Sequence, residues 1–227
     1  MRVLAIDTAL AVCAAAVLDT TSGDIVAGES LPMVRGHAEA LMPLIGRIIE
    51  QSAMALADID RVVVTTGPGS FTGVRVGIAA ARGIALAAAK PAVGVSTLCA
   101  YAAPHLSTDK TLAVVAVVEA RHGQVYLQAF APGGRERLAP RLAPLHEAVQ
   151  AAAESRCCIV GSAAPAVAAG LSKAGAHAAV IDARGAPDIA WVARVGATVA
   201  AERSPPQPQY LSAPNARPQN RSQLPRR

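Results

Sequence analysis

Glycines recur at short spacing in residues 67–73, which have the sequence GPGSFTG and follow a β-branched run. Where such a segment leads from a strand into a helix, its backbone amides can bind phosphate. A Walker loop would need a lysine here, and a dinucleotide fingerprint would need a glycine in place of Thr72. Ser70 also lacks the flanking glycines of a nucleophile elbow. These residues alone favour an anion-binding turn and a structural strand-to-helix turn equally.

Histidine and cysteine, the side chains that most often hold transition metals, are dispersed along the sequence. No two histidines lie three or four residues apart, and the cysteines form no C-x-x-C pair. These residues are His37, His105, His122, His146 and His177, with Cys13, Cys99, Cys157 and Cys158. The sequence therefore predicts no metal site and four buried thiols in a reducing compartment.

The formal net charge of +5 arises entirely near the C-terminal end. From Arg203 onward there are five arginines and no acidic residue, so residues 1–202 are formally neutral. A basic end that is also rich in proline is more often a solvated extension than a recognition element. The hypothesis of a tRNA-binding module rests on this tail alone.

The apolar stretches are each interrupted by charge. Asp7 lies inside the N-terminal run that otherwise imitates a secretory signal. Arg75, Arg82 and Lys90 interrupt the longest apolar region, so no span reaches the roughly 18 uncharged residues that cross a bilayer. We expect a cytoplasmic protein with no membrane partner.

Apolar periodicity predicts the elements that hold these residues in place. Strands are predicted over 3–6, 12–18, 25–31, 61–66, 92–95, 112–118, 124–130 and 157–160. Helices are predicted over 37–53, 74–89, 145–153, 163–173 and 189–201. The first three strands should be antiparallel, and Pro43 should kink the first helix or delay its start. This order predicts an α/β protein with two related lobes, of which the second is shortened.

Residues 67–77, with the sequence GPGSFTGVRVG, resemble the hallmark of the TsaB family almost letter for letter. Flanking segments that agree are 4–8 (LAIDT), 35–39 (RGHAE), 93–98 (VGVSTL), 119–126 (EARHGQVY) and 208–211 (PQYL). The family usually has aspartate in place of Glu119 and arginine in place of Ser212. The resemblance spans residues 3–212 and is strongest over 62–98.

The resemblance implies the actin and sugar-kinase (ASKHA) fold, in which two lobes close over a nucleotide. It divides this chain into an N-terminal lobe over 1–100, a smaller second lobe over 101–203, and a disordered Pro/Arg-rich tail over 204–227. In this superfold the first hairpin carries an acid or hydroxyl that faces phosphates. The nucleotide-proximal residues would accordingly be Asp7, Thr8, Gly67, Gly69 and Ser70. Asp7 has a local alternative, because short aspartate side chains readily bond turn amides.

The resemblance also implies a non-catalytic role. The related TsaD transferase holds a metal with a His-x-x-x-His pair, whereas the matching positions here are Thr97 and Tyr101. The chain would bind TsaD and activate it for N6-threonylcarbamoylation of adenosine 37 in ANN-decoding tRNAs. A TsaE-like ATPase and, indirectly, tRNA would join the complex. A homodimer would form without TsaD, and ATP or ADP would lie at the junction with TsaD.

The predicted helix over 74–89 is apolar nearly all round apart from Arg75 and Arg82, which suggests burial on two sides. The resemblance implies that one side meets TsaD in a helical bundle built from the first two helices of each subunit. The implied interface residues are His37, Leu41, Ile45, Ile48, Val76, Gly77, Ala80 and Ile84. Packing of this apolar surface inside the chain's own fold is the alternative.

Two enzyme classes compete with the scaffold hypothesis. Asp7 and the glycine segment favour a small-molecule kinase or ATPase of the same superfold, although further acids in the second lobe are missing. A peptidase is disfavoured because no Ser-His-Asp or metal arrangement is supported by the sequence.

Overall fold

The structure is a computed structural model that describes residues 1–211. Ser212 and the arginine-rich end of the predicted tail lie outside the described residues. Two five-stranded sheets, each covered by helices, account for most of the described chain. The predicted α/β, two-lobed architecture is confirmed.

The first half of the chain forms the first lobe and one further helix. Its elements are β1 (Arg2–Asp7), β2 (Val12–Asp19), β3 (Asp24–Pro32), α1 (His37–Gln51), β4 (Arg61–Thr65), α2 (Phe71–Ala88), β5 (Ala92–Val95) and α3 (Thr97–Thr108). The strand order is β3-β2-β1-β4-β5. The first three strands pair antiparallel as predicted, and β4 and β5 join them in parallel.

The second half repeats this order of elements. It contains β6 (Ala113–Glu119), β7 (Gln124–Phe130), β8 (Glu136–Pro144), α4 (Leu145–Ala153), β9 (Cys157–Val160), α5 (Ala164–Lys173), β10 (Val180–Asp182) and α6 (Ile189–Thr198). Its strand order, β8-β7-β6-β9-β10, is that of the first sheet. The two lobes therefore share one topology, and the helices α4 and α5, of 9 and 10 residues, are shorter than α1 and α2, of 15 and 18 residues.

The last helix of each half packs on the lobe of the other half. Helix α3 lies against β6 and β9, and α6 lies against β1, β2 and β4. Arg61 on β4 holds the end of α6, because its guanidinium donates to the carbonyl oxygens of Gly196 and Val199 at 2.9 and 2.7 Å. A cation at a helix C-terminus is favourable. The predicted boundary at residue 100 therefore needs correction: α6 belongs to the first lobe and α3 to the second.

Strands β1 and β4 are buried on both faces of the first sheet. Along β1, Leu4 and Ile6 enter the core shared with α1 and α2, whereas Val3 and Ala5 enter the core shared with α6. Alternation of side chains along a strand produces this division. Helices on both faces thus fix the sheet whose strand ends carry the candidate site.

The structure contains three elements that periodicity did not predict, namely α3, β8 and β10. Strand β8 is an edge strand, so it tolerates Pro140 and the charges of Arg137 and Arg141, which obscure its pattern. Pro43 does not delay α1, which begins at His37 and continues through the proline.

Residues 204–211 correct the predicted start of the tail. The amide of Gly94 donates to the Ser204 carbonyl, and the amide of Gln209 donates to the Thr66 carbonyl, both at 2.8 Å. Pro206 is buried between these bonds. The segment therefore lies across the ends of β4 and β5, and the rest of the tail prediction falls on residues outside the described range.

Candidate functional site

The glycine turn between β4 and α2 is pressed against the β1–β2 hairpin. A Cβ atom on Gly69 would lie 2.2 Å from the Ala9 carbonyl oxygen, and one on Gly73 would lie 2.1 Å from that of Thr8. These glycines are required because the two backbones approach too closely for any side chain. Gly67 has a φ of 98°, a conformation that other residues rarely adopt.

Amides of this turn are engaged inside the chain. The Ser70 amide donates to the Ala9 carbonyl at 2.7 Å, and the Gly73 amide donates to the Ser70 hydroxyl, which caps α2. A phosphate on the turn would have to replace these bonds. Of the two interpretations left open by the sequence, the contacts favour the structural strand-to-helix turn.

Asp7 and Thr8 are fully buried beneath the turn. Asp7 Oδ1 accepts from the Thr65 hydroxyl at 2.6 Å and from the Ala9 amide at 2.9 Å. Burial raises the pKa of Asp7, opposed by the Thr65 and Ala9 hydrogen bonds and by nearby His37. The Thr8 hydroxyl donates to the Gly73 carbonyl at 2.7 Å. Thr8 therefore joins the hairpin to the start of α2, whereas Asp7 joins it to the end of β4 and also makes the local turn bond expected of a short acid.

The positions that match the TsaD histidines are also internal. Thr97 is fully buried at the start of α3, and the Tyr101 hydroxyl donates to the Arg184 carbonyl at 2.9 Å. Burial, reinforced by Asp7 and Asp182, raises the pKa of Tyr101. Within residues 1–211, no group of three His, Cys, Asp or Glu side chains is placed to hold a metal ion. His37 lies at the start of α1, with Nε2 3.1 Å from the Leu10 carbonyl oxygen.

The first-lobe helices α1 and α2 expose a face that differs from the predicted interface. Leu41, Ile45, Ile48 and Ile84 belong to the core beneath the helices, and Gly77 is buried against Thr8. These five residues are not available to a partner, which corrects the prediction. These apolar residues of α1 and α2, which were predicted to contact a second protein, pack within the chain's own first lobe.

The remaining predicted interface residues lie at the edge of this core. Val76 and Ala80 are half-buried and pack against it, and His37 is buried. The exposed residues of the two helices instead include the apolar or small Met42, Gly46, Ala79, Gly83 and Leu86, with charged residues such as Glu39, Arg47, Arg75 and Arg82 around them. Leu86 is 84% exposed and Met42 is 54% exposed.

Helix α2 is also long and apolar enough to span a membrane by length and composition. Its buried side includes Val74, Ile78 and Ala81, which pack in the first core. The composition of α2 is thereby explained by packing against the sheet.

Sequence reasoning missed an exposed aromatic cluster at the start of α2. The rings of Phe71 and Tyr210 stack with centroids 5.4 Å apart, and Arg75 lies 3.7 Å above the centre of the Phe71 ring. Arg75 Nε donates to the Tyr210 hydroxyl at 2.8 Å. The only sequence signal for this cluster was the resemblance of residues 208–211 to a TsaB family segment. That segment has no periodicity from which its contacts could be predicted.

Comparisons with known proteins agree on one family. The family model described as TsaD, tRNA N6-adenosine threonylcarbamoyltransferase, matches residues 31–190. The tRNA threonylcarbamoyladenosine biosynthesis protein TsaB of Escherichia coli is 40% identical over 126 residues, which are 56% of this chain and 53% of the relative. TsaB of Haemophilus influenzae is 35% identical over 126 residues, which are 56% of this chain and 52% of the relative.

The fold agrees as well. The solved structure of YeaZ from Pseudomonas aeruginosa superposes with a TM-score of 0.71 at 25% identity, covering 92% of this chain and 99% of that one. The chain spans about half the length of the curated relatives it matches. Because the family match covers more than half of its residues, the chain belongs to the TsaD family, and its curated relatives of 35–40% identity place it with TsaB.

Proposed function

We propose that this chain is a non-catalytic subunit that binds a TsaD-like transferase and activates it for N6-threonylcarbamoylation of tRNA adenosine. The outward face of α1 and α2 carries the proposal. The names of the curated relatives place those proteins in tRNA threonylcarbamoyladenosine biosynthesis, which supports the pathway. The transferase would supply the chemistry and this chain the contact surface.

Two glycines on the outward face support close contact with another helix. A Cβ atom on Gly46 or Gly83 would meet nothing within 4 Å. Glycine in a helix interior costs about 1 kcal/mol relative to alanine, and no internal contact here requires it. Because Gly46 and Gly83 have no side chains, a partner helix could lie close to the backbone beside the exposed Met42 and Leu86 side chains.

The kinase or ATPase alternative has weaker support. Asp7 is fully buried, and the Ser70 and Gly73 amides already have partners within the chain. These residues do not fit a nucleotide phosphate in this conformation. The proposal therefore assigns ATP or ADP to the junction with the transferase, and assigns tRNA and a TsaE-like ATPase to the assembled complex.

The same face would also support a homodimer when the transferase is absent, since two copies could meet through their α1 and α2 helices. The bacterial tRNA-modification relatives suggest a cytoplasmic site of action for the proposed complex.

The test substitutes the outward glycine. Gly83→Arg should leave the monomer folded, because the position is open and arginine is a better helix former than glycine by roughly 1 kcal/mol. It should abolish a mixed complex with a purified TsaD-like transferase in size-exclusion chromatography, since a large charged side chain would be buried without a partner.

Ala169→Arg is the matched control, because Ala169 is an exposed position on α5 in the second lobe. It should bind the transferase as the parent chain does. A parent chain that forms no mixed complex under any nucleotide condition would refute the proposed function, and a Gly83→Arg variant that binds normally would move the contact to another face.

A further inference from the structure

The C-terminal segment over residues 204–211 contacts three parts of the molecule that are distant in sequence. It bonds to the edge strand β5 through Gly94, and to the end of β4 through Thr66. Its Tyr210 stacks on Phe71 in the first turn of α2. Leu211 packs against the core that α3 shares with the second sheet. One short segment thus joins the glycine turn, helix α2 and the second lobe.

Two glycines make room for this segment on the sheet. A Cβ atom on Gly94 would lie 3.3 Å from the Pro205 carbonyl oxygen, and one on Gly67 would lie 3.3 Å from that of Gln209. Both contacts are tighter than ordinary packing, so the backbone of the segment lies directly on the turn that starts α2. The surface that the segment covers therefore includes the glycine turn, which also meets the β1–β2 hairpin.

The aromatic contact is made at the surface. Phe71 is 50% exposed and Tyr210 is 48% exposed, so the pair buries little area for the stability of the whole chain. Arg75 connects both rings, since its guanidinium lies over Phe71 and donates to the Tyr210 hydroxyl. Cation–π and charge-assisted contacts of this kind restrain side-chain positions. The restrained residues belong to the helix that carries the outward face.

We infer that residues 204–211 form a strap that positions the first turns of α2 for binding the transferase, with Tyr210 as its positioning residue. This inference rests on the proposed function for the identity of the partner. The strap contacts the helix start through Phe71 and Arg75 and ties it to the second lobe through Leu211. Association with the partner then depends on a segment outside both sheets.

The first measurement needs no partner. Amide hydrogen exchange of the parent chain, Tyr210→Ala and Tyr210→Phe would be compared over residues 73–76, the first amides of α2 that have acceptors. Loss of the strap contact should raise the exchange rates of these amides about tenfold in Tyr210→Ala, because local opening becomes easier. Tyr210→Phe keeps the stacked ring and should lie between the two. Unchanged exchange in Tyr210→Ala would overturn the inference.

The second measurement is affinity for the transferase. Tyr210→Ala should weaken binding about tenfold with no comparable change in urea unfolding, whereas Gln207→Ala, an exposed strap residue, should bind as the parent does. A chain ending at Leu211 should also bind normally, and one ending at Arg203 should bind as weakly as Tyr210→Ala or more weakly.

The two proposals fail differently. If the parent chain binds no transferase, the proposed function fails while the exchange experiment still tests the strap. If the parent binds but Tyr210→Ala binds equally well, the strap has no role in association and the inference fails alone. Weaker binding with unchanged exchange would make Tyr210 a direct contact, which also overturns a positioning role.

Discussion

Both lobes bring a glycine close to the backbone of their first hairpin, but at different places. In the first lobe, Gly69 and Gly73 approach the carbonyl oxygens of Ala9 and Thr8, which lie beyond the end of β1. In the second lobe, Gly161 directly follows β9, and a Cβ atom there would lie 2.1 Å from the carbonyl oxygen of Val117, which lies within β6. The shared topology therefore brings equivalent elements together, while the residues in contact differ.

The acids beside these contacts differ. Asp7 is fully buried at the end of β1, whereas Glu119 at the end of β6 is exposed. Ser162 in the second lobe accepts a bond from the Glu119 amide at 3.0 Å, so a hydroxyl replaces the carboxyl as the local acceptor. The repeated fold therefore pairs equivalent strands in the two lobes, while the polar groups at the strand ends differ.

The helix pairs that cover the sheets differ in a second way. The first-lobe pair exposes Met42 and Leu86, whereas none of the exposed large apolar side chains in residues 1–211 lies on α4 or α5. Beside α4, Arg141 pairs with Glu147 and Arg137 pairs with Glu154. Beside α1, Arg47 pairs with Glu29 in the same way, so the helix pairs differ in the exposed Met42 and Leu86 side chains and not in their ion pairs.

The largest predicted effect tests the close backbone contacts of these glycines. Gly161→Ala should lower the free energy of unfolding in urea by about 3 kcal/mol, because its φ of 108° and the Val117 carbonyl both oppose a side chain. Gly73→Ala should cost less, since better helix propensity offsets about 1 kcal/mol of the clash.

Gly175→Ala controls for backbone strain alone. Its φ is 75°, and a Cβ atom there would meet nothing within 4 Å. It should cost about 1 kcal/mol. Equal losses in Gly161→Ala and Gly175→Ala would show that the hairpin contact is not the cause.

A second prediction concerns the buried acid of the first lobe. Burial raises the pKa of Asp7 in the folded chain, so the folded state holds a proton that the unfolded state releases. Its contribution to stability is therefore greatest below its unfolded pKa of 3.8 and is lost as pH rises through the folded value. Asp7 Oδ2 is buried without a hydrogen-bond partner among residues 1–211, so the ionised carboxyl lacks full compensation. Asp7→Asn, which removes the charge, should be more stable than the parent at pH 7 by roughly 1–3 kcal/mol.

The measurement is urea unfolding at several pH values between 4 and 7. The stability difference between Asp7→Asn and the parent should grow with pH. A difference that stays constant over this range would contradict a raised pKa as its cause.

The smallest effect concerns the acid at the end of the second sheet. The hydrogen bond from the Arg184 side chain lowers the pKa of Asp182 to about 2. Burial acts in the opposite direction, and the hydrogen bond with His105 lowers the pKa further. The carboxylate therefore stabilises the fold above its unfolded pKa of 3.8, and this contribution is lost as pH falls toward 2. After allowance for solvent screening, Asp182→Asn should cost about 1 kcal/mol at pH 7.

Glu147→Gln is the matched control, because it removes one partner of the ion pair between Arg141 and Glu147. It should change the free energy of unfolding by less than about 0.5 kcal/mol. The cost of Asp182→Asn should shrink between pH 4 and pH 3. If Asp182→Asn lowers the free energy of unfolding by the same amount at pH 3 as at pH 7, the loss comes from packing and not from charge.

Much of the fold could be predicted because local pattern reports it. The continuous apolar run of β1, which is buried on both faces of the sheet, and the amphipathic stripe of α1 appear directly in the apolar residues. Strand β8 and helix α3 could not be found this way, since prolines and charges interrupt their periodicity. Most of the predicted interface residues are instead buried in the chain's own core, because apolar composition alone does not say which side of a helix meets the chain's own sheet.

The sequence by itself determined the family, the α/β class and the glycine turn, because close backbone approach and strand alternation constrain residue types locally. Only the tertiary structure decided that the turn is closed over Asp7, that α3 and α6 cross between lobes, and that residues 204–211 return to helix α2. These features join residues far apart in the chain, such as Arg75 and Tyr210. No local pattern records such contacts, since each partner alone is an ordinary exposed residue.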